Sequence, residues 1–156
     1  MKQSDIKRIT SFTVDHDKIV PGVYVSRTDG DVTTYDMRLK RPNNGDYMTV
    51  LEAHTFEHMF ATYVRNSEIG EKVVYFGPMG CMTGFYLLVR DADNGEVLGV
   101  IKDVLSKIIL HDGDVFGASR TECGNYRCLE LEAAKNVARE FSDVLKNADN
   151  GFSYPS

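Results

Sequence analysis

The segment VYVSRTDGDVTTYDMRL, residues 23–39, decides the fold. It reads as two strands, VYVSRT and DVTTYDMRL, folded about an Asp-Gly pair that signals a tight turn. Side chains alternate along a strand, so Thr33, Tyr35, Met37 and Leu39 point one way and Thr34, Asp36 and Arg38 the other. The hairpin therefore offers an apolar face to a core and sets an acid and a base on the opposite face.

Outward from it, TSFTV (10–14) reads as a preceding strand, separated from the hairpin by HDKIVPG. KVVYF (72–76) and GFYLLV (84–89) predict two more, joined by the Gly- and Pro-containing GPMGCMTG. Residues 48–66 alternate apolar and polar with helical period, with Asp46 or Thr49 as the cap and Gly70 suited to the chain reversal that follows. A second helix is predicted over 96–110, where Val97, Leu98, Ile101, Val104, Leu105 and Ile108 form one stripe. HDGDVFGASRTECGNYR (111–127) is irregular, and Ala134, Val137, Ala138, Phe141, Val144 and Leu145 mark a last amphipathic helix. Short turns make the β run antiparallel, and with helices interspersed the expectation is an α+β fold. That fold is an antiparallel sheet packed against helices, an α/β sandwich in a single domain over residues 1–156.

Composition narrows the function. With 42% hydrophobic and 26% charged residues the 156-residue chain is ordinary globular material, long enough to bury a core without disulfides. A net charge of -5, from 18 basic and 23 acidic residues, offers no broad cationic surface, so nucleic acid is not an expected partner. The start MKQSDIKRIT lacks the apolar run of an export signal, and no apolar stretch approaches the ~20 residues of a membrane helix. A soluble, cytoplasmic protein without a membrane partner is expected. Three cysteines, Cys81, Cys123 and Cys128, make a disulfide framework improbable there, so each thiol is either packing or chemistry.

In HTFEH (54–58), His54 and His58 stand one turn apart on a helix, the spacing that lets two imidazoles bind one metal ion. Glu57 lies on nearly the same face, placed to act on a metal-bound water or a substrate. A polar, solvated helix face would also carry these residues. His-x-x-Glu-His is, however, the signature of inverted zinc peptidases, which take a glutamate far downstream as third ligand. Glu130 and Glu132 lie 72 and 74 residues after His58. Cys123, in a glycine-bearing loop, is the favoured third ligand, and Cys128, at the start of the last helix, packs. Spacing alone leaves the choice between Cys123 and the two glutamates open. Cys81 stands between glycines just before a strand, where backbone N–H groups can point at its sulfur and favour the thiolate; a small buried hydrophobe is the plainer role.

Five motifs in order, SFTVDH (11–16), YDMR (35–38), HTFEH (54–58), GPMGCMTGFY (77–86) and ECGNY (122–126), give the chain a resemblance along nearly its whole length to the S-ribosylhomocysteine lyase (LuxS) family. The resemblance implies that His54, His58 and Cys123 bind one divalent metal, natively iron(II) and often zinc or cobalt as isolated. It implies that Cys81 and Glu57 are the acid/base groups and that Ser11, His16 and Arg38 line the substrate pocket. Arg38 beside Asp36 would otherwise read as half of a surface ion pair. The implied reaction converts S-ribosyl-L-homocysteine to L-homocysteine and 4,5-dihydroxy-2,3-pentanedione, the autoinducer-2 precursor of quorum sensing. Two proton-transfer isomerisations carry the sugar carbonyl until the C–S bond lies β to it, and homocysteine is then eliminated. Each isomerisation passes through an enediolate, which calls for a Lewis acid and for bases poised near neutral pH. Family members are homodimers with active sites at the subunit interface. Where many of them have Asp-Ile-Ser before Pro-Met-Gly-Cys, this chain has Tyr75, Phe76 and Gly77, so a contact to the homocysteine amino group must come from elsewhere. A metallopeptidase and a non-catalytic protein with a structural metal are the competing readings.

Overall fold

The computed structural model describes residues 2–149 and 151–156. The hairpin forms as read: β1 (Gly22–Asp29) and β2 (Val32–Arg38) pair antiparallel, with the chain reversing at Gly30 in the left-handed region. A second hairpin, β3 (Val73–Pro78) and β4 (Gly84–Arg90), joins it through β4 and β2, giving a four-stranded antiparallel sheet in the order β1-β2-β4-β3. In this register Tyr35 lies between Val25 and Leu87, and Met37 between Val23 and Phe85. Tyr35, Met37, Phe85 and Leu87 are all fully buried on the inner face.

Three helices cover that face. The first, α1 (Val50–Arg65), starts at a capping box in which the Thr49 hydroxyl accepts from the Glu52 N–H and the Glu52 carboxylate accepts from the Thr49 N–H. Thr49, not Asp46, is therefore the cap; Asp46 pairs with Lys40 instead. Phe56 and Phe60 of α1 meet Phe76 of β3 and Phe85 of β4 in one cluster with ring centroids 4.4 to 6.1 Å apart. Such contacts add roughly 0.5–1.5 kcal/mol each beyond area burial, so α1 is the best anchored helix on the sheet. The stripe expected on α2 (Asn94–Leu110) is buried throughout, and α3 (Leu131–Asn147) packs against both α1 and α2 through Ala134, Val137, Ala138, Phe141 and Leu145. Among the described residues no helix is long and apolar enough to cross a membrane.

TSFTV is not a strand. Thr10–Phe12 is a short 3-10 turn, with the Phe12 and Thr13 N–H groups donating to the Ile9 and Thr10 carbonyls. Its β-prone residues share a cavity with the outer sheet face instead of pairing along an edge, and Arg27 of β1 donates to the Thr10 hydroxyl.

The outer face of the sheet is not simply solvated. Asp36 and Arg38 form a pair of two hydrogen bonds, 3.1 and 2.7 Å, with side chains 1% and 3% exposed, so the surface ion pair of the plainer reading is a buried one. The segment after α3 supplies the cover. The Val25 N–H donates to the Phe152 carbonyl, the Tyr154 ring stacks on Tyr24, and the Tyr154 hydroxyl donates to Asp36 at 2.7 Å.

Candidate metal centre and its neighbouring cavity

The helical period of α1 divides its middle turns between two tasks. Ala53, Phe56, Met59 and Phe60 face the core, while His54, Glu57 and His58 remain partly accessible on the opposite side. Each histidine is oriented through its Nδ1. That of His54 donates to the Cys128 carbonyl at 2.7 Å, and that of His58 to the Phe116 carbonyl at 2.8 Å. Both bonds fix the tautomer that leaves Nε2 unprotonated and free to ligate.

The loop between α2 and α3 brings the third donor. Cys123 Sγ lies 3.4 Å from His54 Nε2, and the donor atoms of His54, His58 and Cys123 all lie within 4.8 Å of one another. The Asn125 N–H points at the same sulfur, 3.4 Å away. Gly117 allows the loop to come this close. It sits at φ 68, and a Cβ there would stand 3.2 Å from His58 Nδ1.

Neither glutamate joins the cluster. Glu130 is exposed ahead of α3, with its backbone N–H donating to the Thr55 hydroxyl, and the Glu132 carboxylate pairs with Arg139 at 3.0 Å. Cys128 precedes α3 in the loop instead of starting the helix, and its carbonyl is what aims His54. Sequence patterning gives no signal for that role, because any residue type supplies a carbonyl.

Two imidazoles and a thiolate suit a borderline divalent ion such as zinc or iron(II), and a three-donor set leaves a position for water or substrate. The residues present therefore fit the metal that the resemblance implies.

The other expected site residues fall in two cavities that share Pro78, only one of which reaches a donor. Ser11, His16, Arg38 and Cys81 line one cavity of about 360 Å³, together with Tyr86 and Pro78. Glu57 lines a second, of about 260 Å³, with His54, Asn125 and Met82, and Pro78 borders both. His16 Nδ1 donates to the Val14 carbonyl, which leaves its Nε2 available. Burial alone would lower the Arg38 pKa; the hydrogen bonds and charge of Asp36 outweigh that and hold it above its ordinary value, so the guanidinium stays charged.

Cys81 is exposed, and the partner of its sulfur is not a backbone N–H but the Thr83 hydroxyl, 3.0 Å away. Thr83 and Tyr154 are the polar groups here that sequence reasoning missed. Thr83 stands two residues from Cys81 in a quoted motif and carried the only available signal. Tyr75 lays its hydroxyl over Gly77, within 2.1 Å of where a Cβ would be, so the absence of a side chain at 77 makes room for it.

A thiol and two imidazoles within 4.8 Å of one another, on an α+β sandwich with an accessible cysteine in the next cavity, define a candidate metal centre placed for chemistry on a bound small molecule. A family model described as S-ribosylhomocysteinase (LuxS) matches residues 9–151. The S-ribosylhomocysteine lyase of Desulfotalea psychrophila is 42% identical over 97% of this chain and all of its own length. Those of Clostridium beijerinckii and Borreliella burgdorferi are each 41% identical over at least 96% of this chain and all of theirs. The chain belongs to the S-ribosylhomocysteinase (LuxS) family.

Proposed function

We propose that this chain is an S-ribosylhomocysteine lyase, a carbon–sulfur lyase that releases L-homocysteine and 4,5-dihydroxy-2,3-pentanedione. The observation that carries the reading is the convergence of His54, His58 and Cys123 in a member of this family, whose relatives bear that enzyme's name. A divalent ion held by these three residues supplies a Lewis acid for negative charge developing on a sugar oxygen. Iron(II) is the ion we assign, on the strength of the family resemblance; a donor set of two imidazoles and one sulfur also takes cobalt or zinc, and these more tightly.

The protein's own groups do the proton work. Glu57, beside His54 in its cavity, takes and returns protons on one side of the sugar. Cys81 does so from the neighbouring cavity, where its thiolate has a hydrogen-bonding hydroxyl and the Arg38 charge near it. Together they move the carbonyl along the chain and remove the proton that sets off elimination. Arg38, Ser11 and His16 hold substrate oxygens, Arg38 through N–H groups not taken by Asp36 and Thr83.

We further propose one domain over 1–156, a cytoplasmic setting that keeps the three cysteines as free thiols, and a homodimer whose sites combine residues of two chains. Support for the dimer lies on the outer sheet face. Exposed Ile9 and Tyr75 border a cavity that also reaches Ser11, with exposed Phe12 alongside. Light scattering that returns a monomer at working concentration removes the shared-site reading.

The test of function is S-ribosyl-L-homocysteine with thiol detection, before and after chelation and with metal restored. Metal-dependent homocysteine release is the expected result. Turnover of a peptide, or inertness in the metal-loaded protein, overturns it in favour of the peptidase or the structural-metal reading.

A further inference from the structure

The outer sheet face holds a continuous chain of polar contacts that ends on a sulfur. The Tyr154 hydroxyl donates to Asp36 Oδ2, Asp36 accepts from Arg38 Nε and Nη2, and Arg38 Nη1 donates to Thr83 Oγ1 at 2.8 Å. Thr83 Oγ1 in turn stands 3.0 Å from Cys81 Sγ. Asp36, Arg38 and Thr83 are all buried, so no solvent substitutes for these partners.

Donor and acceptor inventory sets the direction of the last contact. A guanidinium only donates, so Thr83 Oγ1 is the acceptor toward Arg38, and its single hydrogen needs an acceptor of its own. Among the described residues the atom within reach is Cys81 Sγ. Were the thiol the donor instead, a hydroxyl hydrogen would be left buried without a partner, at a cost of about 1–3 kcal/mol.

We propose that Thr83 is a positioning residue for Cys81, whose hydroxyl, fixed by the buried Arg38, donates to the sulfur and holds it as an aimed thiolate. The backbone is built for this. The Thr83 carbonyl accepts from both the Leu39 and Lys40 N–H groups, pinning the connector to the end of β2. Gly84 lies opposite Arg38, where a Cβ would come within 2.5 Å of the Met37 carbonyl, so a glycine alone allows β4 to bring Thr83 this close. Other groups facing the sulfur are the Arg38 charge from β2, Tyr86 from β4 and His16 from the N-terminal segment. A hydroxyl contact adds to their effect instead of replacing it.

The inference rests on reading Cys81 as an acid/base group, and its test reads the sulfur without turnover. Alkylation of Cys81 by iodoacetamide, resolved from Cys123 and Cys128 by peptide mass spectrometry, is followed against pH in the metal-loaded protein. Thr83→Val is expected to raise the midpoint by about one unit, roughly a tenfold loss of reactive thiolate below it. Thr83→Ser, which keeps the hydroxyl, is expected to stay within about 0.3 unit of the parent. Should the valine variant fail to fold, Thr83→Ala leaves space for a water to take the Arg38 N–H and carries the same expectation. A parent-like midpoint in a folded variant lacking the hydroxyl, or a serine variant that behaves as valine does, overturns the proposal. Inactivity toward S-ribosylhomocysteine with the midpoint shift intact would instead count against the function alone.

Discussion

Truncating His58 removes one of three converging donor atoms, so His58→Ala is expected to lose metal and homocysteine release together. Glu57 shares a cavity with His54, Cys81 lines the cavity next to it, and neither belongs to the donor cluster. Glu57→Ala and Cys81→Ala should therefore keep a full complement of metal while turnover falls by about 10²–10⁴-fold, the usual loss for a general acid or base. Metal analysis of the three purified variants beside the thiol assay separates these roles; an empty site in Glu57→Ala would make that carboxylate a ligand. Residue identities were readable from the sequence where chemistry needs a particular side chain at a helical spacing, as in His54 and His58, whereas Cys123 was separated from Glu130 and Glu132 only by the family resemblance. Identities were unreadable where the working group is a backbone carbonyl, as at Cys128 and Phe116, or a hydroxyl whose importance depends on a buried neighbour, as at Thr83.

Elements were legible in proportion to their periodicity. All three helices and both hairpins carry an uninterrupted pattern, and each formed within a few residues of its expected bounds. TSFTV has strand-like residues but begins over the outer face of the sheet instead of along an edge, which no local pattern reveals. The loop between α2 and α3 is the opposite case, irregular by composition yet responsible for Cys123 and for both carbonyls that aim the histidines. Its approach to α1 depends on Gly117. Gly117→Ala would strain a left-handed backbone and push on His58, and is expected to weaken metal binding by roughly tenfold, as loss of an outer-shell contact does. Competition with a chromogenic chelator measures this. Gly124→Ala, with open space around it and no left-handed φ, is the control expected to bind as the parent does.

At the scale of the whole molecule each face of the sheet buries a phenol that responds to high pH. Tyr35, on the inner face with its hydroxyl donated to Asn94, has its pKa pushed up to about 12 by burial and secondarily by the charge of Asp93. Tyr154, on the outer face, is raised as well, by burial and then by Asp36. A raised phenol keeps its proton in the folded chain after the unfolded chain has lost it. The stabilisation is thus whole below the ordinary value of 10.0 and drains away as pH climbs toward about 12. For Tyr35 the loss amounts to roughly 3 kcal/mol. Urea midpoints should hold level up to about pH 9.5 and fall beyond it. Tyr35→Phe should flatten that fall; an unchanged slope would show that Tyr35 is not responsible.

The sandwich itself was legible from the alternation in residues 23–39. That its outer face would carry a buried acid–base pair was not, since the cover comes from Tyr154, more than a hundred residues away in the chain.

The division of labour along α1 bears on how this chain can change length. Core and chemistry interleave there residue by residue, Ala53 beside His54 and Phe56 beside Glu57. Inserting or deleting one residue would turn everything beyond it by about 100°. Phe60 would swing away from the aromatic cluster as His58 left its partners, so stability and metal would be lost in one event. Drift in length must fall instead on surface turns such as 41–46, and α1 serves as the fixed ruler against which the rest of the chain can lengthen or shorten.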